Sequence, residues 1–177
     1  MIAVFTGEGK GKTSAALGTA IRMLGYGKKV SLIQVLKTRN SNEVKLFDKL
    51  IKQKVAPFWQ KLTVASFGKR KFIDPKRIRN EDKKLILDVL DLIENTIMDK
   101  PSLIILDEIL VALLFGMIEE KEVIMIMKKC KQEGIHLILT GRGATPQIIE
   151  LADLVTDMQN VKHPYDLGIS ALKGIDY

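Results

Sequence analysis

A glycine-rich loop at residues 6–14 constrains the fold of this chain more than any other feature. It follows the short apolar run Ile2–Phe5, and apolar residues then recur at helical spacing from Leu17 to Leu24. In a loop between a strand and a helix, glycines let successive backbone N–H groups point inward, and the helix N-terminus adds a partial positive charge. We therefore predict that this loop binds the phosphates of a nucleoside triphosphate.

The loop departs from the phosphate-binding pattern G-x-x-x-x-G-K-[ST] at one position, because Thr6 stands where the first glycine belongs. Lys12 is expected to reach phosphate oxygens, and the Thr13 hydroxyl to ligate Mg²⁺. A glycine-rich turn that merely joins a strand to a helix is the alternative, which the G-K-T sequence in this context disfavours. The residues predicted to bind ATP here are Gly7, Glu8, Gly9, Lys10, Gly11, Lys12, Thr13 and Ser14.

A pair of carboxylates forms the second motif. The apolar run Leu103–Leu106 leads directly into Asp107 and Glu108, which places an acid at the end of a buried strand. A magnesium ion beside a triphosphate needs an acid there. Taken alone, the pair could also be two solvated acids at an ordinary strand end. Together with the loop, it predicts a magnesium site formed by Thr13, Asp107 and Glu108.

Strand-like and helix-like segments alternate along the chain. Further strands are predicted at Val30–Leu36 and Ile135–Leu139, and helices at about residues 81–99, 119–132 and 146–152. Because the strands are apolar throughout, they indicate a parallel sheet covered on both faces. We predict one α/β domain over residues 1–177 with a P-loop NTPase-like, mostly parallel, RecA-like sheet. Ligands bind such sheets at the carboxyl ends of the strands.

The formal charge of +7 is concentrated in residues 37–84, which hold fifteen Lys or Arg against five Asp or Glu residues. A basic segment can attract polyanions or can simply form a solvated face. This leaves open a RecA-like, nucleotide-dependent nucleic-acid-binding ATPase. The segment has no RNP-like or helix-turn-helix pattern, and its aromatic residues are not regularly interleaved with the basic ones, so a nucleic-acid partner is disfavoured.

Composition also bears on the compartment. The single cysteine, Cys130, cannot form an internal disulfide, which fits a reducing cytosol. The apolar runs are too short for a membrane span, and the start of the chain has no pattern of a signal peptide. We therefore expect a cytoplasmic protein without a membrane partner.

Residues 7–18, followed by Gln34 and Lys37, closely resemble the opening of the ATP:corrinoid adenosyltransferases of the CobA/BtuR type. The likeness resumes at residues 106–108 and continues through the T-G-R-G block at 140–143, the K-H-P block at 162–164 and the G-I-D-Y ending at 174–177. The resemblance implies transfer of the 5′-deoxyadenosyl group of ATP to the Co(I) centre of a corrinoid, with release of tripolyphosphate. The corrinoid would be cobalamin, cobinamide or cobyrinic acid a,c-diamide. A homodimer and a flavoprotein reductant are also implied.

Co(I) is a strong nucleophile that carries no proton, so this reaction needs no general base. The protein must hold the 5′ carbon in line with cobalt and stabilise charge on the departing triphosphate. The resemblance, with this chemistry, gives Lys10, Lys12 and Glu108 catalytic roles and brings Arg142 to the ATP. The residues proposed to face the corrinoid are Phe67, Phe72, Gln34, Lys37 and His163.

The chain departs from the family in the aromatic G-F-T-W block, since residues 64–72 contain no tryptophan. In the family, aromatic residues near this block are associated with displacing the lower ligand of the corrinoid. Phe67 and Phe72 are possible substitutes, as are Phe58 and Trp59. Met1 lies at the first strand, so we expect none of the N-terminal extension that covers the site in some relatives. A non-catalytic relative that binds ATP or a corrinoid therefore stays open as an alternative.

Overall fold

A six-stranded parallel sheet forms the centre of the computed structural model, which describes residues 1–68, 74 and 77–175. The strands lie in the order β3-β2-β4-β5-β1-β6, and every pair of neighbours is parallel. This confirms the predicted α/β, P-loop NTPase-like fold. The strands are β1 (Ile2–Thr6), β2 (Val30–Val35), β3 (Leu62–Phe67), β4 (Leu103–Asp107), β5 (His136–Thr140) and β6 (Leu154–Asp157).

Helices connect these strands and cover the sheet. Among the described residues they are α1 (Lys12–Gly25), α2 (Asn42–Lys52), α3 (Asn80–Met98), α4 (Ile109–Leu114), α5 (Glu120–Gln132) and α6 (Pro146–Leu151). Short 3-10 helices lie at Pro57–Lys61 and Pro164–Leu167. The Thr145 hydroxyl caps α6 by accepting a hydrogen bond from the Ile148 N–H at 3.4 Å, with proline at the first helical position as predicted.

Each inner strand contributes to two separate apolar cores, one on either face of the sheet. On β4, Ile104 and Leu106 belong to the larger core with α3, α4, α5 and α6. Leu103 and Ile105 belong to the smaller core, which α1 and α2 cover. Because successive side chains point to opposite faces, a strand that is buried on both is apolar at most of its positions. This is the physical basis of the continuous apolar runs.

The structure differs from the sequence-based expectation at several places. Ile21 has helical spacing with the buried residues of α1, yet 53% of its surface is exposed. The sequence alone does not predict β6, whose four residues are all exposed where it pairs with β1 at the sheet edge. Pairing with a neighbour, rather than burial, makes this segment a strand. In the part of the chain that the structure describes, no helix is both long and apolar enough to cross a membrane.

The sheet order determines which motifs meet. β1 ends at the glycine-rich loop and β4 ends at Asp107, with β5 between them. Since all strands are parallel, these ends lie at one edge of the sheet together with the end of β2.

Candidate nucleotide-binding cleft

The glycine-rich loop packs tightly against the segment that follows β6. The Gly9 N–H donates a hydrogen bond to the Met158 carbonyl at 2.6 Å. A Cβ atom on Gly9 would lie 2.5 Å from the carbonyl oxygen of Gln159, which is too close for any side chain. Gly7 and Gly11 adopt positive φ angles of 96° and 117°, in the region that favours glycine. Two different constraints therefore require these glycines: close packing and backbone conformation.

Lys12 opens α1 and folds back over the loop. Its ammonium donates hydrogen bonds to the carbonyl oxygens of Gly7, at 2.6 Å, and Gly9, at 2.5 Å. Burial lowers the pKa of Lys12, and the positive charge of Arg142 acts in the same direction against the opposing effect of Glu108. The side chain thus lies at the centre of the loop, where it also lines the cleft described below.

Asp107 is fully buried at the end of β4 and accepts four hydrogen bonds. One carboxylate oxygen accepts from the hydroxyls of Thr13, at 2.9 Å, and Thr140, at 2.7 Å. The other accepts from the Gln34 amide at 3.2 Å and the Lys37 ammonium at 2.8 Å. A buried carboxylate is tolerated only when it is hydrogen-bonded and compensated by charge. This network meets both needs and ties Thr13 of α1 to the central strands.

Lys37 follows β2 and points across the strand ends to the acidic pair. Its ammonium donates to the Thr13 hydroxyl at 2.8 Å and lies 3.5 Å from a Glu108 carboxylate oxygen. Burial disfavours the charged form of Lys37, but the carboxylates of Asp107 and Glu108 outweigh that effect, so its pKa is raised above the ordinary value. Lys37 is therefore held as a cation against the acids.

Glu108 adopts a left-handed backbone conformation, with a φ of 66°, just before α4. This conformation is unfavourable for a residue with a side chain and is found preferentially at functional sites. The Glu108 N–H donates to the Thr140 hydroxyl at 2.9 Å, which holds the turn in place. As a result the partly exposed carboxylate of Glu108 lines the cleft, whereas Asp107 lies buried behind it.

These elements enclose a cleft of about 540 Å³ at the carboxyl ends of the strands, a size that suits a small-molecule ligand. At its mouth, an Arg142 guanidinium nitrogen lies 2.8 Å from a Glu8 carboxylate oxygen. The lining combines residues 8–14 with side chains from several other elements, namely Leu17, Lys37, Asn42, Glu43, Glu108, Arg142, His163, Gly174 and Ile175.

The chain matches the family described as ATP:corrinoid adenosyltransferase BtuR/CobO/CobP over residues 1–177. It belongs to this adenosyltransferase family. The chain is similar over its whole length to a corrinoid adenosyltransferase of Escherichia coli (strain K12), at 34% identity over 85% of that protein. The corrinoid adenosyltransferase CobA of Salmonella typhimurium is 33% identical, with 85% of it covered, and a corrinoid adenosyltransferase of Sinorhizobium sp is 32% identical, with 80% covered.

The chain is an adenosyltransferase-family member, and most of its predicted site residues lie together in the cleft. The loop residues from Glu8 to Ser14, with Lys37, Glu108, Arg142 and His163, line it directly. The His163 ring nitrogen Nδ1 accepts a hydrogen bond from the Tyr165 N–H at 3.2 Å and so caps the last 3-10 helix.

Gln34 and Phe67, which were proposed to face the corrinoid, do not line the cleft. The expectation that Gln34 faces the corrinoid is wrong, because its side chain is fully buried and joins Asp107 to Ser66. Phe67 is half-buried at the end of β3 and packs against the larger core. Phe72 lies outside the described residues. Trp59 packs beside Phe47 with ring centroids 5.8 Å apart, as part of the smaller core.

Thr140 was not among the predicted site residues, yet its hydroxyl bonds both the Asp107 carboxylate and the Glu108 N–H. Thr140 could have been identified as Asp107 was, because each is a polar residue at the end of an otherwise apolar run. Asn42 and Glu43 also line the cleft. They begin α2, and nothing in their local sequence indicates that this helix starts beside the glycine-rich loop.

The oxygen-bearing side chains around Thr13 fit a magnesium ion. Hydroxyl and carboxylate oxygens are the ligands that Mg²⁺ prefers, and it commonly keeps several waters and takes further ligands from phosphates. Over residues 1–68, 74 and 77–175, no three His, Cys, Asp or Glu side chains cluster as a metal site. A site built from Thr13, Glu108 and a bound triphosphate is consistent with that, because it needs few protein ligands.

Proposed function

We propose that this chain transfers the 5′-deoxyadenosyl group of ATP to the Co(I) centre of a corrinoid and releases tripolyphosphate. One observation carries the proposal: in a chain that belongs to the adenosyltransferase family along its whole length, the glycine-rich loop, Glu108 and Arg142 converge on one cleft. The class of corrinoid is cobalamin, cobinamide or cobyrinic acid a,c-diamide.

In the proposed reaction, Co(I) supplies an electron pair to the 5′ carbon of ATP and a Co–C bond forms. The C–O bond to the triphosphate breaks, and the leaving group departs with that bond's electrons. No proton is moved, so the task of the protein is orientation and electrostatic stabilisation. Lys10, Lys12 and Arg142 would supply positive charge to the triphosphate, with the N–H groups of residues 7–14.

Magnesium is part of this proposal, held by Thr13 and Glu108 beside the triphosphate. When bound, the ion would neutralise negative charge on the leaving group. Asp107 would act mainly by orienting the Thr13 hydroxyl, which donates to it at 2.9 Å. The full burial of Asp107 and the exposure of Glu108 to the cleft support this division of roles.

The corrinoid is proposed to approach the open mouth of the cleft. His163 supports this by lining the cleft. Phe67 ends β3 at the same edge of the sheet, and it stays a proposed corrinoid contact together with Phe72. Gln34 is no longer proposed as a contact, because it is buried. Lys37 is proposed to act on the metal site instead.

We propose further that residues 1–177 act as a single domain, as a homodimer, in the cytoplasm. Apolar side chains exposed near β6 and beyond it, among them Val155, Val161 and Tyr165, support self-association. The electron for Co(I) would come from a reduced flavoprotein. The one cysteine supports an external donor, because it is buried and its pKa is raised to about 12. Sedimentation of the purified chain tests the dimer.

The decisive experiment combines the protein with ATP, Mg²⁺ and chemically reduced cobalamin. We expect tripolyphosphate and a light-sensitive Co–C product in equal amounts. Release of ADP and orthophosphate without alkylation would refute adenosyl transfer. Stimulation of nucleotide turnover by DNA or RNA, without any effect of the corrinoid, would favour the nucleic-acid-dependent ATPase instead.

A further inference from the structure

The Lys37 ammonium lies where a divalent cation would contact the acidic pair. It is 2.8 Å from the Thr13 hydroxyl oxygen, 2.8 Å from Asp107 and 3.5 Å from Glu108. Thr13 and Glu108 are the side chains proposed to hold magnesium, and Asp107 orients the Thr13 hydroxyl. One protein cation therefore already contacts every oxygen-bearing group of that site.

The fold builds this position for Lys37. Leu36, directly before it, has a φ of 62°, so the chain turns sharply as it leaves β2. On the other side Gly68 approaches the Lys37 backbone so closely that a Cβ atom would lie 2.5 Å from its carbonyl carbon. Leu36, in its unfavourable backbone conformation, and Gly68, which has no room for a side chain, both fix the backbone position of Lys37. A lysine that is mobile on the surface would require neither.

Without a further anion, a metal ion and this ammonium cannot share the site. The Thr13 hydroxyl donates its proton to Asp107 and accepts a hydrogen bond from Lys37, which occupies one of the two lone pairs of its oxygen. Mg²⁺ would use the same oxygen as a ligand. Two cations that contact one hydroxyl oxygen repel strongly in a partly buried site. The two carboxylates cannot offset three positive charges, whereas a triphosphate adds enough negative charge to do so.

We propose that Lys37 is the resident cation of the acidic pair, which excludes a divalent metal until a triphosphate arrives. Metal binding is then coupled to nucleotide binding, and the nucleotide-free protein keeps its buried carboxylate neutralised. This inference rests on the magnesium site of the proposed function. It assigns Lys37 a positioning role for the metal rather than a contact with the corrinoid.

The test measures binding of Mn²⁺ alone to the nucleotide-free protein, from the paramagnetic resonance signal of free Mn²⁺. Lys37→Met removes the charge at similar length, and Lys37→Gln removes it while keeping a hydrogen-bond donor that protects the fold. We expect both variants to bind Mn²⁺ about tenfold or more tightly than the wild type, since an adjacent like charge is gone. Lys37→Arg keeps the charge and is expected to behave as the wild type.

Two further measurements locate the effect. The gain in Lys37→Met should disappear in the double variant Lys37→Met/Glu108→Gln, and inorganic tripolyphosphate should raise the Mn²⁺ affinity of the wild type. A folded Lys37→Met or Lys37→Gln protein with wild-type affinity for Mn²⁺ overturns the inference, as does a gain that survives the loss of Glu108. No corrinoid enters these titrations. A protein that follows the expected metal pattern but transfers no adenosyl group would therefore refute the proposed function and support the role of Lys37.

Discussion

An Arg142 guanidinium nitrogen lies 2.8 Å from a Glu8 carboxylate oxygen, so the turn after β5 is tied to the glycine-rich loop across the mouth of the cleft. Both side chains are more than half exposed, at 54% and 67%. An ion pair this exposed contributes little to stability. Its consequence is for ligand binding, because Glu8 neutralises a cation that a triphosphate would otherwise meet.

We therefore expect Glu8→Gln to bind ATP a few-fold more tightly than the wild type, most clearly at low salt where exposed charges are least screened. Calorimetric titration at two salt concentrations measures this. The melting temperature should change by no more than about 2 °C, since the pair is exposed. Arg142→Gln serves as the opposite variant and should weaken binding. Equal weakening by both variants would mean that the ion pair itself forms part of the ATP site.

Lys12→Ala should abolish adenosyl transfer while the fold is retained. The ammonium lies at the centre of the loop, and loss of a charge that stabilises a leaving group costs about a hundredfold or more in rate. Initial rates of Co–C bond formation and circular dichroism provide the two measurements. Lys28→Ala is the matched control, because Lys28 stacks on Tyr26 at the opposite edge of the sheet. Normal activity in folded Lys12→Ala would refute the assignment of the loop.

Two glycine substitutions should have opposite effects. Gly18 lies inside α1 with nothing within 4 Å of a Cβ atom, so Gly18→Ala should stabilise the protein by about 0.5–1 kcal/mol. A Cβ atom on Gly9 meets the backbone of Met158 and Gln159, so Gly9→Ala should cost about 1–3 kcal/mol. It should also weaken ATP binding. Thermal unfolding of both variants measures the contrast, and an equally stable Gly9→Ala would contradict the packing described for the loop.

Cys130 should be inert in the native protein. It is fully buried, and burial raises its pKa from 9.0 to about 12, so the reactive thiolate is scarce at neutral pH. A chromogenic disulfide reagent should react only as the protein unfolds in guanidinium. Because the native pKa is the higher one, the thiol lowers stability only above about pH 9, where the unfolded chain loses its proton first. Rapid stoichiometric labelling of the native protein at pH 8 would contradict this.

The motifs of the cleft can be recognised in the sequence because each is defined by residues that are adjacent in the chain. Ile2–Phe5 and Leu103–Leu106 are apolar at every position, as is typical of a strand buried on both faces. Glycines and the G-K-T sequence identify the loop without knowledge of its neighbours. The fold class follows from the alternation of such strands with amphipathic helices.

Positions that depend on contacts between residues far apart in the sequence could not be predicted. Gln34 lies near the end of β2 and Lys37 just beyond it, yet Gln34 is buried against Asp107 and Lys37 enters the cleft. The alternation of side chains along β2 and the turn at Leu36 determine these two positions. Neither can be read from the amino-acid composition of the segment. The strand β6 escapes prediction for a related reason, since its pairing with β1 depends on the sheet order.

The sequence by itself determined that the chain has a glycine-rich phosphate loop, an acidic pair at a strand end and a parallel α/β fold. Only the tertiary structure decided that Lys37 meets Thr13, Asp107 and Glu108, and that Thr140 orients the acids from β5. The physical reason is that these groups are brought together by the order and register of parallel strands. Residues 37 and 107 become neighbours because β2 pairs with β4. That pairing depends on the packing of the whole sheet.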